Sequence, residues 1–583
     1  MSVEKLIVDH METWTSALQT RSTAGRGSSG KIDLYGIKKL RELILELAVR
    51  GKLVPQDPND EPASELLKRI AAEKAELVKQ GKIKKQKPLP GISEEEKPFE
   101  LPQGWEWARI NDIASFTNGY AFKSSEFQNS GVGIVKIGDI DSSGFISTAG
   151  MSYVSEKKIN VLPEEMRVNP GDMVIAMSGA TTGKLGFNKT KSTFLLNQRV
   201  GKIVTYSVDK EFIYHYLSTR IEENLSISLG SAIPNISTAQ INNIIIPIPP
   251  SDEQVKIIAR VKLLISHCDQ LEQQSLTSLD AHQQLVETLL GTLTDSQNAE
   301  ELAENWARIS EHFDTLFTTE ASVDALKQTI LQLAVMGKLV PQDPNDEPAS
   351  ELLKRIAQEK AQLVKEGKIK KQKPLPPISD EEKPFELPEG WEWIRLGNIG
   401  EVKGGGTPSK NNSDFWKGNI PWVSPKDMKV NYISKSQLNI SKEAVLESSV
   451  HLIPENSLIF VVRGMILAHT FPVAITKKEV TINQDMKAIS TNQLNTDFLI
   501  YLLKANETRV ICLVDRSSHG TCKLVSDKLF NLVLPLPPLE EQFRITERIN
   551  MLLAYCDRLK NYINLKKQTQ LHLADALTNA AIN

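Results

Sequence analysis

The 21 residues GKLVPQDPNDEPASELLKRIA occur twice in this chain, at Gly51–Ala71 and, letter for letter, at Gly337–Ala357. Aligned without gaps, the longer stretches Leu40–Ile113 and Leu326–Ile399 are identical at 59 of 74 positions. This period is far longer than the roughly 20–50 residues of a solenoid repeat. The sequence therefore indicates the duplication of a whole domain.

The duplicated sequence frames two stretches that are unlike each other. The copies diverge after FELPQGWEW (Phe99–Trp107) and FELPEGWEW (Phe385–Trp393). Similarity returns with IPIPPSDEQ (Ile246–Gln254) and LPLPPLEEQ (Leu534–Gln542). We call the shared sequence the frame and the diverging stretches the inserts.

Five segments are predicted from this pattern. They are a helical region with the first frame copy and a proline-rich tether (1–102), a first insert domain (103–250), a central helical region with the second frame copy (251–387), a second insert domain (388–538) and a C-terminal long helix (539–583).

The composition is that of an ordinary globular protein, with 40% hydrophobic and 24% charged residues. The amino terminus has no apolar core typical of a signal peptide. No apolar run approaches the roughly 18 residues that span a bilayer, so no membrane association is expected. The four cysteines show no metal-binding spacing. Cys268 and Cys556 occupy equivalent positions and are predicted to be buried thiols, which fits a reducing, cytoplasmic location.

Net charge is −3, which argues against a uniformly basic nucleic-acid-binding protein but leaves local basic faces possible. The densest basic cluster, KIKKQK, occurs at Lys82–Lys87 and again at Lys368–Lys373. It is interpreted as a solvated linker, with phosphate contact or docking on an acidic partner as alternatives.

The frame is predicted to be helical. PASELLKRIAAEKAELVKQG begins after a proline, ends in glycine and has its apolar residues on one stripe, which is typical of an amphipathic helix. Helices of roughly 40 residues, or about 60 Å, are expected from Ser251 and from Glu540. Because a long helix with one apolar seam needs a partner, the simplest arrangement is an antiparallel pair of the two.

Each insert contains short strand-like runs separated by glycine, followed by a helix near its end. This order predicts mixed α/β domains that could share one fold. The expected fold class is therefore α+β, with two mixed α/β domains in inverted arrangement, joined by long helices that form an antiparallel coiled coil.

Catalytic motifs are not recognisable. SGATTGKLG (Ser178–Gly186) has the wrong glycine spacing for a phosphate-binding loop, and leucine follows the lysine where Ser or Thr should hold Mg²⁺. The nine histidines show no HExxH or paired metal spacing. A reader or scaffold is favoured over an enzyme. A stand-alone DNA-binding or scaffold protein, and a methyltransferase with an unrecognised motif, remain alternatives.

The order of motifs resembles the specificity (S) subunit of Type I restriction-modification systems. Besides IPxPPxxEQ and the long helices, the resemblance is carried by NGYAFKSSEF (Asn118–Phe127), GDMVIAMSGATTGKLG (Gly171–Gly186), LNQRVGKI (Leu196–Ile203), GSAIPNIS (Gly230–Ser237), GGGTPSKNN (Gly404–Asn412), IPWVSPKDM (Ile420–Met428), TINQDMKAI (Thr481–Ile489) and the amino-terminal YGIKKLRELILELAVRGKLVPQ (Tyr35–Gln56).

The resemblance implies a subunit without catalysis of its own. Each insert would be a target recognition domain that reads one half of a bipartite asymmetric site in double-stranded DNA. Two modification (M) subunits would then methylate adenine at N6, and restriction (R) subunits would cleave. S-adenosylmethionine, ATP and Mg²⁺ would belong to these partners. Two M subunits would explain a duplicated docking surface, with recent duplication as the alternative explanation.

Candidate DNA-binding residues are those with paired donors and acceptors for base edges, while lysines are expected to hold phosphates. In the first insert they are Lys123, Ser124, Lys136, Asp139, Ser178, Thr181, Thr182, Lys184, Asn197, Gln198 and Arg199. In the second they are Thr407, Ser409, Lys410, Ser424, Lys426, Asp427, Arg463, Asn483, Gln484, Lys487, His519 and Lys523.

Two further groups of residues are assigned to the frame. Docking of a partner is predicted for Leu66, Leu67 and Ile70 with their copies Leu352, Leu353 and Ile356. Trp105 and Trp391 are predicted to anchor each insert to its frame.

Overall fold

The computed structural model describes residues 3–20, 32–81, 83, 89–141, 143–220, 234–367, 369, 374–516 and 521–582. These residues form two compact units. The first holds the described residues up to Thr277 together with those from Lys567 onward, and the second holds Ser278–Lys566. Among the described helices, none combines the length and apolar character needed to cross a membrane.

The helices of the first unit lie mainly in the frame. They are α1 (Val3–Asp9), α2 (Met11–Ser16), α3 (Tyr35–Val49), α4 (Ala63–Lys79), α5 (Ile110–Ile113), α6 (Lys158–Val161), α7 (Lys210–Thr219), α8 (Thr238–Asn243) and the first part of α9 (Ser251–Asp295). Helix α4 is the amphipathic helix predicted after Pro62, and its extended N-cap residue is that proline.

The strands of the first unit lie mainly in the insert. They are β1 (Gln19–Thr20), β2 (Ile32–Asp33), β3 (Glu106–Arg109), β4 (Ala114–Asn118), β5 (Phe127–Gln128), β6 (Val132–Val135), β7 (Ser152–Val154), β8 (Arg167–Val168), β9 (Met173–Ala176), β10 (Leu185–Phe187), β11 (Phe194–Leu196), β12 (Val200–Thr205) and β13 (Ile245–Ile248). One sheet has the order β10-β9-β12-β4 and a second the order β5-β7-β6-β11-β8. Strands β3 and β13 form an antiparallel ribbon where the insert joins the frame.

The second unit contains the end of α9 and most of the last helix. Its helices are α10 (Ala299–Glu311), α11 (Phe313–Leu316), α12 (Glu320–Val335), α13 (Ala349–Lys365), α14 (Lys442–Glu447), α15 (Thr496–Ala505), α16 (Glu507–Ile511), α17 (Ser526–Phe530) and α18 (Leu539–Ile582). The two long helices comprise 45 and 44 residues, close to the length predicted.

The strands of the second unit repeat part of the arrangement of the first. They are β14 (Glu392–Arg395), β15 (Glu401–Gly404), β16 (Ile420–Val423), β17 (Tyr432–Ile433), β18 (Leu438–Ile440), β19 (Leu458–Val461), β20 (Val473–Thr476), β21 (Thr481–Ile482), β22 (Met486–Ser490), β23 (Val514–Arg516), β24 (Cys522–Leu524) and β25 (Val533–Leu536). Their sheets run β15-β22-β19-β20-β17 and β18-β16-β21, and β14 pairs with β25. The run β10-β9-β12-β4 thus recurs as β20-β19-β22-β15, so the inserts share a strand arrangement despite divergent sequences.

A buried carboxylate joins the repeated motifs in each unit. The Trp105 indole nitrogen donates to Glu253 Oε2 at 2.9 Å, and Gln56 Nε2 lies 3.2 Å from Glu253 Oε1. The copies Trp391 and Glu541 are also 2.9 Å apart. The prediction that Trp105 and Trp391 tie each insert to its frame is confirmed.

The frame copies also contact the ends of the long helices. In the second unit, Lys338 Nζ donates to the carbonyls of Thr294 and Ser296 at 2.6 and 2.8 Å, where α9 ends. In the first unit, its copy Lys52 donates to the carbonyl of Ile582 at 2.7 Å, where α18 ends. The last carbonyls of a helix lack intrahelical partners, so each lysine satisfies groups that the helix leaves open.

The cysteines predicted to be core thiols, Cys268 and Cys556, are buried. In the second unit, Cys556 of α18 belongs to a hydrophobic cluster with Val286, Leu290 and Leu293 of α9. The end of one long helix therefore packs in the same core as the middle of the other.

The residues predicted to dock a partner lie mostly on the inner faces of α4 and α13. Buried in the chain itself are Leu66, Ile70, Leu352 and Ile356. A partner cannot touch side chains that the chain already covers, so these four are corrected from docking residues to core residues. Leu67 and Leu353 are half-buried at the margins of the same faces and stay candidates.

Candidate nucleic-acid interface

The predicted residues of the first insert gather where two parallel strands end. Leu196 of β11 pairs with Val135 of β6, so Lys136 and Asn197 follow neighbouring strand ends. The Asn197 amide donates to the Val135 carbonyl at 3.1 Å. Because parallel strands end at one edge of a sheet, the turns after β6 and β11 open on the same side.

The turn after β9 joins this edge. The Met177 amide donates to the Arg199 carbonyl at 2.9 Å, and the 3-10 turn Gly179–Thr181 contacts the 3-10 turn Ile137–Asp139. Gly179 has φ +82°, and a Cβ there would lie 3.3 Å from Ile137 Cδ1, so the close approach favours glycine. Residues 136–139, 177–184 and 197–199 are called the first loop cluster.

The segment with Lys123 and Ser124 runs beside this cluster. The Gln198 amide donates to the Tyr120 carbonyl at 3.0 Å, and Tyr120 forms a parallel bridge with Asn197. Lys123 and Ser124 are exposed three and four positions farther along. Tyr120 was not among the predicted residues, although its place in the motif NGYAFKSSEF could have suggested it.

Side chains in and beside the first loop cluster divide into exposed and inward-facing groups. Exposed are Lys123, Ser124, Gln198 and Arg199, while Lys184 and Asn197 are half-buried. Lys136 is turned inward, with Nζ 2.7 Å from Ser152 Oγ and 4.3 Å from the Phe127 ring centre. Thr182 is buried and donates to the Gly179 carbonyl at 2.7 Å. Lys136 and Thr182 therefore support the loops from within.

Three further polar side chains, those of Asp139, Ser178 and Thr181, are neither exposed nor fully hydrogen-bonded. The Asp139 carboxylate accepts the Lys136 amide at 2.7 Å, and burial raises the pKa of that carboxyl. Ser178 is only 8% exposed, and its hydroxyl lacks a hydrogen-bond partner, as does that of Thr181. Buried polar atoms without partners are uncommon in folded proteins.

The second insert has the same edge. Val423 of β16 pairs with Ile482 of β21 in parallel, and the Asn483 amide donates to the Val423 carbonyl at 2.9 Å. Asn483 therefore occupies the position of Asn197, and the similar triplets NQR and NQD are structurally equivalent. The Arg463 amide, after β19, donates to the Asp485 carbonyl at 3.2 Å.

The stretch Thr407–Lys410 also reaches this edge. The Thr407 hydroxyl is hydrogen-bonded to Gln484 Oε1. Ser409 is exposed, and its carbonyl accepts the Trp416 indole proton at 3.2 Å. Residues 407–410, 424–427, 463–468 and 483–485 are called the second loop cluster.

The second loop cluster has exposed side chains on loops that internal hydrogen bonds hold in shape. Lys410, Lys426 and Gln484 are exposed. Ser424 donates to Asp427 Oδ2 from both its amide and its hydroxyl at 2.8 Å. The buried Asn483 accepts the Asp485 amide at 3.1 Å. Asp427 and Asn483 thus hold the loops in shape.

Arg463 and Lys523 face each other across an isolated antiparallel bridge, and both are exposed. Arg463 lies 4.0 Å from the carboxylate of Asp485, and its side chain is 50% exposed. Asp485 was not among the predicted residues, although comparing NQR with NQD could have drawn attention to it.

Lys487 does not join the second loop cluster. The ammonium of Lys487 lies 5.5 Å from the Phe530 ring centre, and burial lowers its pKa. Lys487 is therefore placed away from the loops. His519 lies outside the described residues, as do the lysines of the two KIKKQK segments.

The chemistry of the two edges suits a polyanion with hydrogen-bonding groups. Exposed lysine, arginine and glutamine side chains can contact phosphates and base edges. Within the described ranges, no group of three or more His, Cys, Asp or Glu side chains could hold a metal ion.

The family model and two full-length relatives agree. The family model "Type I restriction modification DNA specificity domain" matches residues 102–281 and 388–568, more than half of the chain. The chain is 52% identical over 620 aligned residues to the Type I restriction enzyme EcoAI specificity subunit of Escherichia coli, with 100% of both covered. It is 47% identical over 616 residues to the EcoEI specificity subunit of Escherichia coli, also with 100% of both covered. A solved HsdS subunit from Thermoanaerobacter tengcongensis is 18% identical, covers 84% of this chain and 98% of its own, and gives a TM-score of 0.41.

Proposed function

The chain belongs to the family of Type I restriction-modification specificity subunits, and from this premise we propose that each loop cluster reads one half of a bipartite, asymmetric DNA target. As a specificity subunit it recognises DNA sequence and is not the catalytic component of its complex. The observation that carries the proposal is that two inserts with one strand arrangement present different side chains at the same edge. Equivalent edges with different chemistry suit two different half-sites.

Base contacts are assigned to the exposed amide and guanidinium groups. Gln198 and Arg199 would read the first half-site, while Gln484 and Arg463 would read the second, because these side chains form paired hydrogen bonds with base edges. The exposed Lys123, Lys410, Lys426 and Lys523, together with half-buried Lys184, would contact phosphates and position the chain without specifying sequence.

Remaining candidates are given supporting or secondary roles. Contacts through hydroxyls are proposed for Ser124, Ser178, Thr181, Thr407 and Ser409. Loop support is proposed for Lys136, Asp139, Thr182, Asn197, Ser424, Asp427 and Asn483.

An antiparallel coiled coil is proposed to set the distance between the half-sites. Each compact unit contains the first part of one long helix and the last part of the other, which supports this arrangement. An antiparallel pair would relate the two recognition domains by an approximate two-fold axis. That symmetry matches the opposite directions of the two DNA strands.

Two M subunits are proposed to dock on the two frame copies, and R subunits to join the resulting complex. Packing explains the identity of buried residues in the repeat but not that of exposed residues such as Lys68 and Lys354. A partner common to the two frame copies would explain why the exposed residues are identical as well. S-adenosylmethionine, ATP and Mg²⁺ would be held by these partners, and adenine would flip into the M subunit because its N6 cannot be reached within the stack.

The test is co-expression of this chain with M subunits and single-molecule sequencing of host DNA for N6-methyladenine. We expect methylation on both strands of one split, asymmetric motif, lost when the chain is deleted. Exchange of the insert 108–245 for that of a relative should then change one half of the motif only. DNA binding by the chain alone, with no split motif in any combination, would instead support a stand-alone DNA-binding protein.

A further inference from the structure

Two large apolar side chains are exposed in the second loop cluster. Met465 is 63% exposed and Ile466 is 38% exposed. Both belong to the 3-10 turn Met465–Ala468, which follows β19. Large apolar side chains that adjoin one another on the surface can form a contact with another molecule.

The turn that carries them is firmly held. Leu467, between the exposed pair and the core, is completely buried in the insert's hydrophobic core. The Gly464 amide donates to the Cys522 carbonyl at 3.0 Å, and the Thr470 amide donates to the Ile466 carbonyl at 3.0 Å. Gly464 has φ +139°, which lets the chain leave β19 sharply. Met465 and Ile466 are thus presented by a fixed support.

Exposed cations lie near the pair, and the carboxylate of Asp485 is 4.0 Å from one of them, Arg463. Arg463 precedes the pair with Gly464 between them, and Lys523 lies opposite Arg463 in the adjoining strand. Both cations are exposed, and exposed Gln484 belongs to the same cluster. An apolar tip beside cations complements duplex DNA, whose phosphates flank an apolar base stack, better than it complements a purely apolar protein surface.

The first insert differs at the equivalent turn. The strand β9, equivalent to β19, is followed by Ser178–Thr182, with the sequence SGATT and no large apolar residue. At the positions of Met465 and Ile466 the first insert has Ala180 and Thr181, which are small. Any effect of the apolar pair is therefore confined to one half-site.

Resting on the proposed function of the second loop cluster, we propose that Met465 and Ile466 form an apolar wedge that enters the base stack of the second half-site. The wedge unstacks one base step and kinks the duplex there. Steps that unstack at low cost, such as TA and CA, would be favoured at that position even without a hydrogen bond to their bases. The pair would thus add specificity through DNA deformability to the direct contacts of Arg463 and Gln484.

The test compares the wild-type chain with the double variant Met465→Ala/Ile466→Ala, each assembled with M subunits. Each complex is bound to duplexes that contain the split motif identified by sequencing. Bending is measured by fluorescence energy transfer between dyes at the duplex ends, and affinity by titration. We expect the double variant to bend DNA less by roughly 20° or more and to bind about tenfold more weakly. Met465→Leu/Ile466→Leu, which keeps apolar bulk, should retain both properties. Leu446→Ala, which removes an 84% exposed leucine of the same insert outside the loops, is the matched control.

Unchanged bending in the double alanine variant would overturn the wedge. Loss of M-subunit assembly in size-exclusion chromatography would also overturn it, since the pair would then contact protein. The two proposals fail differently. If the wild-type complex methylates no split motif, the proposed function fails, whereas a split motif with equal bending by wild type and variant rejects the wedge alone.

Discussion

The indole nitrogen of Trp105 lies 2.9 Å from a carboxylate oxygen of Glu253, and the two residues stand at opposite ends of the first insert. Glu253 is 1% exposed, and burial raises its pKa. Its other oxygen accepts a hydrogen bond from Gln56. Three separate repeated motifs thus meet on one carboxylate, which explains why similarity between the copies returns after the inserts.

Trp105→Phe should destabilise the first unit. The substitution leaves the buried Glu253 carboxylate with one hydrogen bond fewer, at a cost of about 1–3 kcal/mol in free energy of unfolding. Urea denaturation of the full chain, followed by circular dichroism, measures the change. Trp107→Phe is the control, because Trp107 contacts the Phe99 ring at 5.1 Å and can be replaced by another ring. Equal costs for the two variants would show that ring size, and not the hydrogen bond, determines stability.

Periodicity and turn residues predicted the helices well. Helix α4 and the two long helices have apolar stripes that local sequence reveals, and their ends carry proline or acidic residues. The pairing of β3 with β13 could not be predicted, because it depends on contacts between residues far apart in the sequence. Likewise, the apolar stripe that contains Leu66 and Ile70 predicts that these side chains are covered. The stripe does not tell whether another protein or the rest of this chain covers them.

Residue type predicted the candidate site only in part. Asn197 and Asn483 were both candidates by residue type, and the structure places them after equivalent parallel strands. Lys136 and Lys487 were selected as cations, yet both are turned towards aromatic rings. The direction of a side chain depends on its strand register, which composition does not give.

Lys426→Ala should reduce the salt dependence of DNA binding, whereas Lys487→Ala should not. Lys426 is exposed in the second loop cluster, and each lost phosphate contact lowers the slope of log affinity against log salt by about 0.9. The measurement is a titration of target duplex with the chain and M subunits at several salt concentrations. A lower slope for Lys487→Ala with no change for Lys426→Ala would reverse the assignment of the two lysines.

Lys338→Met should fray the end of α9. The ammonium of Lys338 satisfies the carbonyls of Thr294 and Ser296, and loss of a cation at a helix C-terminus costs about 0.3–1 kcal/mol. Hydrogen exchange read by mass spectrometry should show faster exchange for peptides covering 288–296. Lys354→Met is the matched control, since its exposed ion pair with Glu351 lies on α13 and is worth little. Slower or unchanged exchange at 288–296 would remove the capping role.

His215 gives the first insert a pH-dependent contribution to its stability, and the equivalent residue of the second insert is not a histidine. It lies on α7, and burial lowers its pKa to about 4, while Glu211 and Asp209 oppose this effect and Lys262 adds to it. The equivalent residue of α15 is Tyr501, whose pKa burial raises to about 12.

The sign of the His215 effect follows from which state binds the proton. The unfolded chain protonates His215 below its usual pKa of 6.5, while the folded chain keeps it neutral down to about 4. The contribution of His215 to the free energy of unfolding is thus fully present above pH 6.5 and is lost as pH falls from 6.5 towards 4. His215→Gln should remove this loss, which amounts to up to about 3 kcal/mol. The measurement is the difference in urea stability between wild type and variant across that range, because buried carboxyls such as Glu253 change with the opposite sign and cancel in the difference. A difference that stays constant from pH 7 to pH 4 would show that His215 takes up a proton equally in both states.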